Sequence, residues 1–215
     1  MSSRDIILGR IRSRLAVTGS ADDARHAAVR THIAARASSP RPQAPLDRVA
    51  SFRECVLKLA STCDRVAAMS DVPAAVQRYL VEHTLPVNAV CWPALAALDW
   101  GVAGIQVEPR AARSTDAVGI TGAYCAIAET GTLAMLSGPD TPGSVSLLPE
   151  THIAVVETAR VVTGMEDAWS LLRAELGSPP RAINFISGPS RTADIEQTVT
   201  LGAHGPSRVH IVLVG

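Results

Sequence analysis

The chain reads as an α/β protein: a mostly parallel sheet flanked by helices, preceded by an N-terminal helical arm. Two observations carry the sheet. Short runs such as AVCW (89–92), HIAVVET (152–158) and VHIVLV (209–214) are apolar on consecutive positions rather than alternate ones, as in strands covered on both faces. Segments with helical period separate these runs, which is the pattern of right-handed crossovers between parallel strands. The arm rests on a third observation. SSPRPQAPLD carries three prolines in six residues, which no helix continues through, so a boundary falls near residue 45. Residues 1–45 form the arm with its proline-rich linker, and residues 46–215 form the α/β domain.

Each element follows in order. From Asp5 to Leu15, the residues Ile6, Ile7, Leu8, Ile11 and Leu15 recur at helical spacing, with Arg4, Arg10, Arg12 and Arg14 mostly on the other side. An Ala-rich helix over about 21–37 leads to the prolines. Within the domain the pattern predicts helices at 52–63, 72–83, 165–176 and, over SRTADIEQTV, 190–199. Strands are predicted at 65–69, 89–92, 104–109, 126–136, 152–158, 182–187 and 209–214. Ligands in such sheets collect at the carboxyl ends of strands.

Composition narrows the function. Basic and acidic residues balance at 20 each in 215 residues, so no whole-chain field concentrates nucleic acid or an anionic membrane, and nucleic-acid binding is not expected. Apolar runs such as Ala94 to Leu98 are far shorter than the roughly 20 residues a membrane span needs, so no membrane insertion is expected. Arginines interrupt the apolar N-terminus, which therefore lacks a signal-peptide core, and a cytoplasmic protein is the expectation. Cys55, Cys63, Cys91 and Cys125 are widely spaced and suggest neither a disulfide framework nor a metal knuckle.

Three constellations carry possible chemistry. In ISGPSRTADIE, the turn at Ser187, Gly188 and Pro189 is read as leading into a helix. Free N–H groups there, with Ser190, Arg191 and Thr192, would cradle an anion. The plainer reading has Ser190 capping the helix while Asp194 and Glu196 stabilise its first turns. In AETGT, the Glu129 carboxylate interrupts an apolar run beside Thr130, Gly131 and Thr132. It is either a general base or nucleophile, or a structural group that caps a turn or binds an arginine from elsewhere. His152 and His204 (in GAHGP, with Gly205) are read either as converging at one sheet edge, as acid/base groups or metal ligands, or as turn caps. His210 reads as a satisfied sheet histidine, and no HExxH-like pairing points to metal.

AETGT (128–132), LLPETHI (147–153), ISGPSRTADIE (186–196) and GAHGP (202–206), in this order, resemble the LutC/YkgG family of lactate-utilisation proteins, whose shared unit is the LUD domain. The resemblance is strong over about 115–215 and weaker over 45–115. It implies a domain similar to the NagB/RpiA/CoA-transferase superfamily, and one component of a bacterial system oxidising L-lactate to pyruvate, whose other subunits carry iron–sulfur clusters. The cluster-binding CxxCxxCxxxCP runs of those relatives are absent here, so the resemblance implies the cluster-free component, with no cofactor of its own. Glu129, His152 and His204 are the expected catalytic residues. The Ser187–Thr192 turn, with Asp194, Glu196, Gly205 and Thr130–Thr132, is the expected ligand site. A stand-alone isomerase or acyl/CoA-transferase-like enzyme using Glu129, and a non-catalytic assembly subunit, are the alternatives.

Overall fold

A computed structural model of the chain describes residues 2–15, 19–37, 40–41, 43–195 and 198–215. It divides into two compact units, Met1–Pro42 and Gln43–Gly215. The first holds helices α1 (Ser3–Leu15) and α2 (Gly19–Ala35).

The second unit opens with α3 (Arg48–Lys58), started by Asp47, whose carboxylate accepts from the Val49 and Ala50 amides at 2.9 and 3.0 Å. β1 (Thr62–Val66) follows, then α4 (Val72–Glu82) with Pro73 in its first turn, where the missing N–H costs nothing. Next come β2 (Asn88–Cys91), β3 (Gln106–Pro109), β4 (Val118–Gly122), β5 (Cys125–Ile127), β6 (Thr132–Leu136), α5 (Ser144–Leu147), β7 (Thr151–Glu157) and β8 (Val161–Val162). The chain ends with α6 (Met165–Leu176), β9 (Ile183–Ile186), β10 (Arg191–Ile195), β11 (Thr198–Leu201) and β12 (Arg208–Val214).

A six-stranded sheet runs β1-β12-β7-β4-β2-β3, and every pairing in it is parallel. Its two faces carry separate cores. On one, Val72, Val76, Tyr79 and Leu80 of α4 meet Ile120, Ile153, Val155 and Val212. On the other, Phe52 and Val56 of α3 meet Ala154, Val156, Ile211 and Leu213 together with Ala126, Leu133 and Met135 of a second sheet, ordered β8-β5-β6-β9. Alternate residues of β7 and β12 thus serve opposite cores, which is why these strands are apolar at nearly every position.

α3 and β1 lie about four and three residues earlier than the sequence reading placed them, α5 and β8 are not foreseen, and three further departures bear on the site. The run 126–136 is not one strand but the hairpin β5–β6, turned at Gly131, whose φ of +64 favours glycine. β4, in the middle of the parallel sheet, is not foreseen: Gly119 and Gly122 dilute its apolar signal. SRTADIEQTV is not a helix; β10 and β11 pair antiparallel, Arg191 opposite Leu201 and Thr192 opposite Thr200. The β-branched residues Thr192, Ile195, Thr198, Val199 and Thr200 favour strands over helix. The ends of the segment are also tied across its base, with the Ser190 amide donating to Pro206 O at 2.8 Å and the Gly202 amide to Ser190 O at 3.0 Å. Glu196 and the Asp194 side chain lie outside the described residues.

Candidate functional site

The β5–β6 turn presses against the last turns of α3. A Cβ on Gly131 would stand 2.9 Å from the Val56 amide nitrogen and 3.0 Å from Cys55, so only glycine fits. The Glu129 and Ala128 amides donate to Thr163 O and Val162 O at 3.0 and 2.9 Å, and the Cys55 thiol lies 3.6 Å from Glu129 O. These contacts fix the backbone and leave the side chain out. The half-buried Glu129 carboxylate has no hydrogen-bond or ion-pair partner among the described residues. The arginine partner of the plainer sequence reading is therefore not found among them.

Thr130, the next residue along the chain, begins a run of three linked hydroxyls. Thr130 Oγ1 and Thr132 Oγ1 are 2.7 Å apart, and Thr132 Oγ1 and Ser187 Oγ are again 2.7 Å apart. Thr132 is buried, whereas Thr130 and Ser187 are exposed. Each hydroxyl has one proton and two lone pairs, so a chain of three linked by two bonds keeps one proton to spare, on Ser187, Thr130 or the buried Thr132 according to which way the two bonds run. Gly188, with φ of +86, brings the backbone so close to the α3–β1 connection that a Cβ would meet Leu59 O at 2.8 Å. Arg191 Nη2 donates to the same carbonyl at 3.1 Å, placing a cation at the carbonyl end of α3.

The other predicted residues form a structural knot next to this one. With no helix starting at Ser190, the free N–H groups of the predicted anion cradle do not arise there, nor does Ser190 cap a helix. Its hydroxyl accepts instead from the His204 amide at 3.3 Å, latching the GAHGP loop, where Gly205 packs close to Ser190. Pro189 is buried, and Thr192 lies on β10. His204 is exposed.

His152 does not join His204 in solvent reach. It is fully buried, paired in register with Gly119 on one side and Val209 on the other, and one ring nitrogen lies 2.8 Å from Thr121 Oγ1. Burial lowers its pKa to about 4, so the ring is neutral. A buried, neutral ring next to a threonine holds the sheet and reaches no ligand. His210 is likewise buried in the sheet, as the sequence reading had it, 2.8 Å from Thr62 Oγ1 and stacked on Tyr79 with ring centres 4.0 Å apart, but it is satisfied at one ring nitrogen only: Nε2 has no partner among the described residues.

The location of these groups also differs from expectation. Ser187 follows the carboxyl end of β9, but β9 belongs to the second sheet, antiparallel to β6. Relative to the six-stranded sheet, the turn at Gly188 and the GAHGP loop lie by the connections entering β1 and β12, at the amino ends of those strands. A polar cleft of about 440 Å³ opens on that edge, between Ser114–Ala117 ahead of β4, Glu150 ahead of β7, and Gly202, Gly205 and Ser207 ahead of β12. Sequence reasoning missed its acidic wall. Arg110 grips Asp116 through two hydrogen bonds of 2.7 and 2.8 Å and holds that carboxyl at about 2, while Arg208 pairs with Glu150 at 2.9 Å. Nothing in the spacing of Arg110 and Asp116 signals their pairing.

All four cysteines are free. Burial pushes the thiols of Cys63, Cys91 and Cys125 up to about 11, away from the thiolate that binds metal or attacks. No group of three or more His, Cys, Asp or Glu able to hold a metal ion is found among the described residues. Nor is any of their helices long and apolar enough to cross a membrane.

The LUD domain family matches residues 81–214, which take in β2 to β12 and every residue of the turn, hydroxyl chain and latch. The chain belongs to the LUD domain family. Relatives include "Lactate utilization protein C" of Bacillus subtilis, 36% identical over 127 residues that make up 57% of this chain and 53% of that protein. A protein of the same name from an Exiguobacterium is 36% identical over 141 residues, 64% of this chain and 61% of that one. This LUD domain chain therefore aligns with little more than half the length of these relatives. Among solved structures, a DUF162 family protein from Deinococcus radiodurans superposes with a TM-score of 0.61 at 26% identity, covering 80% of this chain and all of the other.

Proposed function

We propose that this LUD domain protein serves bacterial lactate utilisation as a component without a redox cluster of its own. In this reading it holds a small carboxylate ligand where Thr130, Thr132 and Ser187 meet Glu129. The family and the names of the relatives support the process. The observation that carries the site is the half-buried Glu129 carboxylate, without a partner among the described residues, one position along the chain from a hydroxyl run with one proton to spare. An ionised carboxylate only accepts, and the hydroxyl chain supplies a donor. A ligand bearing both a carboxylate and a hydroxyl satisfies both, with Glu129 taking the hydroxyl hydrogen. Ser190 and Arg191 support this site from behind, through the latch and the α3 carbonyl. Iron–sulfur chemistry and electron transfer then belong to partner subunits, with this chain binding and presenting the ligand.

Calorimetric titration with lactate and pyruvate tests the site. Thr132→Val and Ser187→Ala each remove a hydroxyl at small steric cost and are expected to weaken binding by roughly tenfold, the worth of one hydrogen bond to a charged group. Glu129→Gln is expected to weaken lactate more than pyruvate, since only lactate offers a hydroxyl. Binding that is indifferent to all three changes, or no binding by the wild-type chain, sinks the site. A stand-alone acyl-transfer or isomerase reaction on Glu129 is the second reading, favoured by the same unpaired carboxylate, and it requires turnover by the purified chain with no partner present.

A further inference from the structure

The neutral total charge conceals a division along the chain. Residues 1–42 hold eight arginines against three aspartates, a net +5 with histidine neutral, while residues 43–215 hold 12 basic and 17 acidic residues, a net −5. The basic part, the shorter of the two, also holds a dense set of exposed aliphatic side chains. Ile6, Ile7, Leu8, Ile11 and Leu15 of α1 and Val29 and Ile33 of α2 are each between 36% and 66% exposed, and α1 buries no residue at all.

The two features are arranged together. At 100° per residue, Ile7, Ile11, Leu15 and Leu8 occupy about a 100° arc of α1 that Arg4 enters at the helix start, with Arg10 and Arg14 along one border and Arg12 along the other, while Ile6 lies outside it. Ile7–Ile11 and Arg10–Arg14 form parallel rows bounding a shallow groove of about 260 Å³. On α2, Arg25, Val29 and Ile33 continue the pattern at steps of four. An apolar stripe bordered by guanidinium groups suits a surface that is apolar below and anionic above.

We infer that the N-terminal arm docks on the surface of an anionic phospholipid bilayer, its aliphatic stripe at the acyl boundary and its arginines on lipid phosphates. The helices lie in the interface and do not span it. Nucleic acid fits less well: it would engage the arginines but leave the aliphatics in water, and the arm has no aromatic residue to stack on a base. A protein groove would have to match carboxylates to arginines on both borders of the stripe, whereas a lipid surface offers phosphates all round. Because the α/β unit carries the opposite net charge, attachment depends on the arm.

Co-sedimentation of the full chain with vesicles tests this. Vesicles with about one-third phosphatidylglycerol are expected to bind at least tenfold more tightly than pure phosphatidylcholine, since each arginine near an anionic surface contributes about 1 kcal/mol. Ile7→Ser with Ile11→Ser, and separately Arg10→Gln with Arg14→Gln, should each weaken binding by roughly tenfold, with the circular dichroism of the α/β unit unchanged. Absence of binding to anionic vesicles overturns the inference. So does vesicle binding that ignores the isoleucine changes and is abolished by RNA, which would make the arm a general polyanion binder. Self-association lost with the same isoleucines, with no affinity for vesicles, would assign the stripe to a second copy of this chain.

Discussion

Lowering the pH from 7 to 4.5 is expected to remove several kcal/mol of folding stability, with most of the loss between pH 6.5 and 4.5 and two buried histidines responsible. Burial holds His152 and His210 at about 4 in the folded chain, against roughly 6.5 when unfolded. Around His210, Asp64 opposes the shift while His83 and Arg78 add to it, but desolvation dominates. Each ring has one nitrogen bonded to a threonine hydroxyl and the other unpartnered, so the fold offers no acceptor for a second ring proton. Between the two pKa values only the unfolded chain takes up the proton, so stability is fully present above pH 6.5 and falls as the pH drops toward 4. The loss approaches about 3 kcal/mol per histidine at pH 4. Asp116 and Glu175, held at about 2 by Arg110 and Arg160, weaken the fold only at lower pH, so the two effects separate. Urea unfolding at a series of pH values reads the slope. Calorimetry at pH 5.5 in buffers of different ionisation enthalpy should show uptake of about two protons on unfolding. A flat profile between pH 6.5 and 4.5 would mean that at least one ring is solvated in the folded state.

The fold was legible where one physical signal dominated. β12 and β7 are apolar on both faces and fall where predicted to within a residue, and α6 is found at 165–176, bracketed by Gly164 and Gly177. What was lost was a choice between partners that only the folded chain supplies. Thr192 to Thr200 can be written as an amphipathic helix or as two strands, and the hydrogen bonds by which the Ser190 amide donates to Pro206 O and Ser190 O accepts from the Gly202 amide, distant in the helical reading, decide for strands. The site was legible in the same uneven way. Glu129 stood out because a carboxylate in an apolar run needs a reason, and the structure leaves it without a partner among the described residues. The contact of Thr132 with Ser187, 55 residues apart, has no local signature. His152 misled, because a histidine next to a strand boundary looks the same in sequence whether its ring faces solvent or Thr121.

Gly119→Ala is expected to cost at least about 3 kcal/mol, the upper range for forcing atoms into a packed interior. The reason is close approach, since Gly119 needs no left-handed backbone: it sits on β4, opposite Val90 and His152. A Cβ there would overlap the Val145 carbonyl oxygen and stand 2.9 Å from Pro149 Cγ. Backbone cannot rotate away as a side-chain tip can, so α5 would have to lift from the sheet. α5 carries Ser144, whose hydroxyl accepts from the Ala112 amide at 3.1 Å, and the buried Val145, so lifting it opens the core over His152 as well. Gly122, three residues along the same strand, supplies the control. Its added Cβ would meet only the Trp92 ring, at 3.7 Å, an ordinary contact, and Gly122→Ala should change stability by less than about 1 kcal/mol. Urea midpoints for the two variants, with equal slopes, measure the difference directly. If both cost the same, α5 rests on β4 more loosely than the carbonyl contact requires, and the missing side chain at 119 is not what lets the helix seal the buried histidine.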